Sequence, residues 1–292
     1  MRLIQETHIK FMSQRRFAFV LSAVVILAGL GSLIIQGGPK LSIDFKGGTM
    51  VAVSFREEVN ITKVRSSLAT MTIEGQTFDL SKEEIKSFGD PSNISIRISQ
   101  QEDEPDDFAQ SVIKYLYNTF PENVPSEQNE FILTIEKVGP KIGSELRGKA
   151  LMAMFSSLAL ILLYISIRFE FKFALGAIAA LVHDILVTLG LFSILNYEIS
   201  LSIIAAFLTI VGYSLNDTIV IFDRIRENVK AKRRESYAET VDHSINQSLS
   251  RTIITSFTSF LVVLILWLFG GEVIHGFAFA MIIGVVVGTY SS

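Results

Sequence analysis

Six apolar stretches, each long enough to cross a lipid bilayer, constrain this chain more than any other feature of its sequence. A membrane-spanning helix needs about 20 predominantly apolar residues, because each residue adds only about 1.5 Å of rise across about 30 Å of hydrocarbon. The predicted spans are residues 17–36, 148–169, 171–195, 199–222, 251–270 and 273–292. The sequence therefore predicts an α-helical polytopic membrane protein with six transmembrane helices, and its 49% hydrophobic composition agrees with that class.

The first of these stretches could be a cleavable signal peptide, and the last could be an incomplete helix. Arg15 and Arg16 precede the first stretch, a pattern shared by membrane anchors and cleavable signal peptides. That stretch is long for a signal peptide, and the Gly-Gly-Pro after it does not resemble a small-x-small cleavage site, so we expect an uncleaved anchor. The last stretch ends at Ser292 without a polar tail, and we expect it to be truncated within its helix.

Residues 37–147, between the first two spans, have the composition of a folded domain outside the membrane. Alternating apolar residues predict strands at 48–55, 72–80, 93–99 and 130–138, and helical spacing predicts helices at 62–69 and 106–120. Asn60 is the predicted cap of the first helix, and the capping-box pattern Ser81-Lys-Glu-Glu84 predicts a further short helix. The order β-α-β-β-α-β predicts an α+β ferredoxin-like domain.

Lysine and arginine occur in alternate segments between the spans, which predicts the orientation because basic loops stay in the cytoplasm. The basic residues are Arg2, Lys10, Arg15 and Arg16 before the first span, Arg168 and Lys172 after the second, and Arg224, Arg226, Lys230, Lys232, Arg233 and Arg234 after the fourth. Residues 196–198 and 270–272 contain neither type. Residues 1–16 and the basic, amphipathic loop 223–250 are therefore predicted to be cytoplasmic. Residues 37–147 are predicted to be periplasmic, and the architecture suggests a bacterial inner membrane.

Asp217, inside the fourth span between Asn216 and Thr218, is the first candidate functional residue, because a charge within hydrocarbon is costly. If spans four and five form a symmetric hairpin around Arg234, Arg251 lies at the depth of Asp217 on the adjacent helix. Such a pair could relay protons, since desolvation favours proton uptake by a carboxylate whose ion pair opens. It could equally be a static ion pair that clamps two helices, and the residues alone leave both interpretations open.

His183 and Asp184, near the middle of the third span, form a second candidate site. They could join the same polar cluster as Asp217, or Asp184 could instead cap or bracket a neighbouring helix. The structural interpretation is preferred for His183, and Asp184 is left undecided. Close helix packing is also predicted for the Gly-x-x-x-Gly pattern at 284–288, and for Gly212 and Ser214 with the hydroxyl-rich face of span five.

Several classes of function are excluded by what the sequence lacks. The chain has no cysteine, and its four histidines are too dispersed for a two-histidine metal motif. It has no phosphate-binding loop or nucleophile elbow, and a net charge of -3 argues against a nucleic-acid partner. We expect no enzyme, metal or cofactor, and a transmembrane ion gradient as the energy source.

Four strings in order resemble the SecF family of protein-export membrane proteins, within the resistance-nodulation-division superfamily. They are IDFKGGT (43–49), VGPKIGSELRGKA (138–150), VGYSLNDTIVIFDRIREN (211–228) and SLSRTIITS (248–256). The resemblance implies six spans with a periplasmic ferredoxin-like domain. It also implies that proton flow completes the translocation of an unfolded preprotein after SecA, in a complex with SecD, the SecYEG channel and YajC.

The resemblance also implies roles for individual residues. The intramembrane aspartate and arginine of the family correspond to Asp217 and Arg251, and Asp184 corresponds to a polar position of its third span. Gly47 and Gly48 match the motif at the start of the periplasmic domain, where a turn is expected. Two alternatives remain. The first is a scaffold that links SecD to the channel. The second is a half-size exporter of lipids or small molecules, although such exporters usually have two copies of the six-span unit and this sequence shows one.

Overall fold

The computed structural model describes residues 7–292, except residues 74, 101–104, 106, 170 and 232–234. The predicted hairpin midpoint Arg234, the basic residues Arg2, Lys232 and Arg233, and the predicted helix start at 106 lie outside the described residues. The chain divides into two compact units, Leu41–Ala150 and a helical unit made of Met1–Lys40 with Leu151–Ser292.

The helices and strands follow one another with short connections. In chain order they are α1 (Phe11–Ile35), α2 (Ile43–Lys46), β1 (Gly48–Ser54), α3 (Ile61–Leu68), β2 (Met71–Ile73), β3 (Gln76–Phe78), β4 (Glu84–Phe88), β5 (Asp90–Ile98), α4 (Phe108–Thr119), α5 (Gln128–Phe131), β6 (Ile132–Val138), α6 (Pro140–Arg168), α7 (Phe171–Ile194), α8 (Leu201–Ala231), α9 (Tyr237–Phe269) and α10 (Glu272–Ser291).

Six of these helices, α1 and α6 to α10, are long and apolar enough to cross a membrane. The predicted class, a polytopic helical membrane protein with six spans and one inserted α+β domain, is confirmed. The helices differ from the predicted spans mainly in length, because an α-helix can continue into water beyond its apolar segment. Helix α6 begins at Pro140 rather than at 148, and proline suits the first helical position because its missing N–H has no helical partner there.

The predicted loop at 223–250 is instead mostly helical. Helix α8 runs on to Ala231 and α9 begins at Tyr237. The extension of α8 contains Arg, Glu, Lys and Ala but no Gly or Pro, so its intrinsic preference is helical. A capping box opens α9: Glu239 N donates to Ser236 Oγ at 3.3 Å, and Ser236 N donates to Glu239 Oε2 at 3.0 Å.

The unit Leu41–Ala150 is built on an antiparallel sheet in the order β4-β5-β1-β6. Val51 of the central strand pairs with Ile96 on one side and Ile135 on the other. Helices α3 and α4 add apolar residues to the same core, in which Leu68, Phe108 and Leu116 are fully buried. The strand order is that of the split β-α-β arrangement, so the predicted ferredoxin-like domain is confirmed. Asn60 caps α3 as predicted, accepting a hydrogen bond from Thr62 N at 2.8 Å.

Two local predictions in this domain are wrong. The predicted strand 72–80 is a hairpin of β2 and β3 that turns at Gly75, whose φ of 87° is accessible to glycine at little cost. The helix predicted from Ser81 does not form, because Asp79 Oδ1 accepts hydrogen bonds from both N and Oγ of Ser81 and makes a turn there. The chain then enters β4, where Ile85 pairs with Ile96 and is buried in the core. Burial of that apolar side chain outweighs the local capping signal.

Candidate functional site

Asp184, in the middle of α7, accepts hydrogen bonds from two other helices. It is 1% exposed. Its Oδ2 accepts from Ser214 Oγ of α8 at 2.6 Å and from Ser291 Oγ of α10 at 2.9 Å. Its Oδ1 lies 2.9 Å from Nδ1 of the adjacent His183. Both carboxylate oxygens are therefore satisfied, which is the condition for keeping such a group in a dry interior.

His183 extends this network to α1. Its Nε2 lies 3.0 Å from Ser22 Oγ, which is 3.1 Å from the hydroxyl of Tyr290. The Tyr290 hydroxyl donates to the Ala18 carbonyl at 2.8 Å. Each ring nitrogen can donate or accept a hydrogen bond, depending on the tautomer, so His183 links Asp184 to Ser22 through its two nitrogens. His183, for which a structural role was preferred, has polar contacts at both nitrogens. We call Ser22, His183, Asp184, Ser214, Tyr290 and Ser291 the Asp184 cluster.

Asp217 lies on α8 one turn beyond Ser214, and it has the opposite surroundings. It is 3% exposed, and among the described residues it has neither a hydrogen-bond partner nor an ion pair within 4 Å. Residues three apart on a helix lie on neighbouring turns of one face, so Asp217 is placed beside the Asp184 cluster. The helical unit therefore buries two carboxyl groups close together, and among the described residues only Asp184 has hydrogen-bond donors.

The expected direct pair between Asp217 and Arg251 is not formed. Each residue lies 14 positions from the end of its helix at the α8–α9 turn, so the two share the same depth in the hairpin. Arg251 is nevertheless exposed, and it makes no ion pair within 4 Å among the described residues. Its positive charge still acts on Asp217 across the gap. The number of residues from the helix end predicts the depth of a side chain, because each residue adds about 1.5 Å of rise. Whether two side chains point toward each other depends instead on the rotation of each helix about its axis. A residue count does not predict that rotation.

The two neighbours of Asp217 do not complete a site around it. Thr218 is buried, and its hydroxyl donates to the Ser214 carbonyl of the same helix at 3.1 Å. Asn216 is exposed. Ser214, expected only to help helices pack, is instead the residue that links α8 to Asp184, and it also packs against Gly288 of α10.

Gly47 and Gly48 form a tight turn at the start of β1 within the unit Leu41–Ala150. Their φ angles are 78° and 135°, a region that other residues rarely adopt. A Cβ on Gly47 would lie 2.8 Å from Pro140 Cα, and one on Gly48 would lie 2.5 Å from the Ile98 carbonyl oxygen. Both the backbone angles and the space exclude a side chain, so the geometry supports the expected turn role.

The sequence analysis missed Ser22, Tyr290 and Ser291, which complete the Asp184 cluster. A hydroxyl within an apolar stretch is common and usually bonds to its own helix, so no single one of them stands out. Among the residues that the structure describes, no group of three or more His, Asp or Glu side chains is placed to hold a metal ion.

This chain is similar to a known protein family and to curated members of it. Residues 121–292 match the family "Protein export membrane protein SecD/SecF, C-terminal". "Protein translocase subunit SecF" of Calditerrivibrio nitroreducens is 42% identical over 290 residues, covering 98% of this chain and 91% of that protein. The protein of the same name from Rhodothermus marinus is 43% identical over 298 residues, covering 100% of this chain and 92% of that protein.

Two solved structures of SecDF resemble the fold. The crystal structure of SecDF from Thermus thermophilus, described as a translocon-associated membrane protein, has a TM-score of 0.84 and 36% identity over 98% of this chain. A SecDF structure in a super-membrane-facing form has a TM-score of 0.68 and 36% identity over 100% of this chain. This chain spans 37% of the first SecDF chain and 38% of the second, so it is similar to little more than a third of each.

Proposed function

This chain belongs to the SecD/SecF family of protein export membrane proteins, and from that premise we propose that it couples the proton motive force to the completion of preprotein translocation. The observation that carries the proposal is Asp217, a buried carboxyl group without a hydrogen-bond partner among the described residues. A carboxyl group in such surroundings can take up a proton and lose its charge, and one inside a span is by default a functional group.

The proposed coupling depends on the contrast between the two buried carboxyl groups. Asp184 is satisfied by Ser214, Ser291 and His183, so it holds α7, α8 and α10 in one arrangement. Proton uptake at Asp217 removes the attraction of Arg251 on α9, and proton release restores it. The interaction between α8 and α9 then differs between the two protonation states, and this difference is what a proton cycle would convert into movement.

The energy available is adequate for such a switch. One elementary charge that moves through 100 mV releases about 2.3 kcal/mol, which shifts a two-state equilibrium by about 50-fold. A few protons at ordinary membrane potentials therefore suffice to change which arrangement dominates. We assign no enzymatic step to the chain, because the proposed work is driven by the gradient.

The partners proposed for this chain follow from its similarity to part of SecDF. We propose that a separate SecD subunit corresponds to the part of the SecDF chain that is not matched by these residues. SecYEG, YajC and, indirectly, SecA are the further proposed partners. The chain would lie in the bacterial inner membrane with residues 1–16 in the cytoplasm. The domain at 37–147 would then face the periplasm, where the unfolded preprotein emerges.

The first prediction concerns Asp217. In vesicles that contain SecD, SecYEG and SecA, Asp217→Asn is expected to abolish the stimulation of preprotein translocation by an imposed proton gradient, because asparagine has similar size but cannot bind the proton. Asp223→Asn is the matched control, since Asp223 lies on the same helix in an exposed pair with Arg168. Copurification of SecD is measured in both variants. Full gradient stimulation in Asp217→Asn, with SecD still bound, would support the scaffold instead.

A further inference from the structure

A groove of about 710 Å³ opens between α1, α7, α8 and α9, where α7 begins and α8 ends. Its floor is apolar. The centroids of the Phe173 and Phe222 rings lie 4.9 Å apart, and both rings pack against a buried cluster that consists of Ile221, Ile225 and Val241. Gly176 also lines the groove, so α7 leaves room there beside the Phe222 ring. The floor thus offers hydrocarbon contacts to an occupant.

The rim of the same groove is cationic. Lys172, Arg226 and Lys230 line it, and none of the three has an ion pair within 4 Å among the described residues. Other arginines at this end are already paired, Arg168 with Asp223 at 3.3 Å and Arg224 with Glu227 at 2.9 Å. Among the described residues, these three positively charged side chains therefore line the groove without an ion-pair partner.

Acidic side chains do not neutralise this rim from within the groove. Among the described residues that line it, none is acidic. The nearby Asp242 accepts a hydrogen bond from Met12 N at 2.8 Å, and Glu239 is engaged in the capping box with Ser236. Tyr237, 61% exposed, adds a phenol hydroxyl as a further donor at the rim.

We propose that this groove binds one anionic phospholipid, with its phosphate at Lys172, Arg226 and Lys230 and an acyl chain along the Phe173–Phe222 floor. The two halves of the site together select this occupant. A soluble phosphate would leave the apolar floor empty, and a zwitterionic lipid would leave the three cations without a net opposite charge. Helices α7 and α8 change from apolar to basic sequence at the groove, which is the composition expected at a lipid–water boundary.

The test compares an anionic and a zwitterionic lipid that have the same acyl chains and different headgroups. Native mass spectrometry of the full chain in detergent measures apparent dissociation constants for dioleoyl-phosphatidylglycerol and dioleoyl-phosphatidylcholine. Each engaged cation is expected to favour the anionic lipid by about fivefold, so the combined preference is on the order of 100-fold. Substituting Lys172, Arg226 and Lys230 with glutamine should remove it. Arg224→Gln is the matched control, because Arg224 lies at the same end of α8 but is paired with Glu227 outside the groove. This variant should leave the preference for the anionic lipid unchanged.

Two further arms separate the groove from surface charge and from a free anion. Gly176→Leu keeps every charge but fills the floor, so it is expected to reduce phosphatidylglycerol binding at least tenfold. Millimolar inorganic phosphate is expected not to displace the lipid. Equal binding of the two lipids, persistent preference in the triple variant, full binding in Gly176→Leu, or displacement by phosphate would each overturn the proposal. Monodisperse elution and unchanged fluorescence of Trp267 verify that each variant is folded.

Discussion

Asp184 and Asp217 are buried in adjacent parts of the helical unit, but their partners differ. Ser214, one turn from Asp217 on α8, gives its hydroxyl hydrogen to Asp184. Asp184 therefore has the surroundings of a carboxylate that ties three helices together, whereas Asp217 is buried without such donors among the described residues. A residue adjacent in sequence or space need not share a role, because the hydrogen-bond donors around each carboxyl group decide which state is stable.

The second prediction tests the structural role of Asp184. Asp184→Asn replaces an acceptor oxygen by an amide donor among hydroxyl and imidazole donors, so at least one buried partner is left unsatisfied. The expected loss is about 1–3 kcal/mol in the free energy of unfolding of the full chain in detergent. Ser291→Ala removes a single donor and should cost about 0.5–1.5 kcal/mol. The half-exposed Asp223→Asn should change stability by less than about 1 kcal/mol. Equal stability of all three variants and the parent chain would contradict the prediction.

Close approach of helices depends on glycine in this protein. A Cβ on Gly29 of α1 would lie 2.5 Å from Gly190 Cα of α7, and one on Gly284 of α10 would overlap the Ile210 side chain of α8. Lipid supplies no hydrophobic driving force between spans, so their association depends on such close packing and on polar contacts between helices. Beside the first contact, Ser32 and Ser193 join α1 and α7 by a hydrogen bond of 2.8 Å.

The third prediction uses the absence of cysteine from the chain. With Ser32→Cys and Ser193→Cys as the only cysteines, oxidation should join α1 to α7 in nearly full yield, because the two hydroxyl positions are adjacent. Adding Gly29→Val should reduce the disulfide yield severalfold by separating the helices. Gly31→Val is the matched control on the same helix, since a Cβ there would meet nothing within 4 Å. The idea fails if both valine variants cross-link like the parent.

At the scale of the whole molecule, the two compact units have separate apolar cores. The core of Leu41–Ala150 includes Phe108, fully buried and 5.0 Å from the Phe78 ring. The helical unit has its own buried clusters, for example around Ile165 and around Ile221. Separate cores allow each unit to open locally without loss of the other.

The fourth prediction follows from this separation. Phe108→Ala should destabilise the domain by about 3–5 kcal/mol, because it removes a fully buried ring and leaves a cavity. Hydrogen exchange of the full chain is expected to accelerate in residues 41–150 and to stay unchanged in α7 and α8. Leu133→Ala, at a side chain that is 44% exposed, serves as the control and should change little. Faster exchange throughout the helical unit would show instead that the two units unfold together.

Much of the architecture could be predicted from the sequence alone, because it depends on local properties. The length of an apolar stretch decides whether a helix can span a bilayer, and this requires no knowledge of its neighbours. Alternation and helical spacing likewise identified both helices and three of the four sheet strands, whereas β4 lies where a short helix was predicted. Asn60 and its helix were correct because a cap acts within a few residues. The candidate carboxyl groups Asp184 and Asp217 were found because a charge inside an apolar stretch is visible in the sequence.

Tertiary structure decided what depends on residues far apart in the chain. Burial of Ile85 against Ile96 overrode a local helix signal at Ser81. The rotation of α8 and α9 left Arg251 exposed and apart from Asp217, although both have the predicted depth. The Asp184 cluster joins Ser22 to Tyr290 across 268 positions, and no local pattern reports such a contact. Sequence alone predicts which segments are apolar enough to enter a membrane and which charges they carry, since composition controls transfer into lipid. Only helix packing determined the partners of those charges, since packing sets the direction of each side chain.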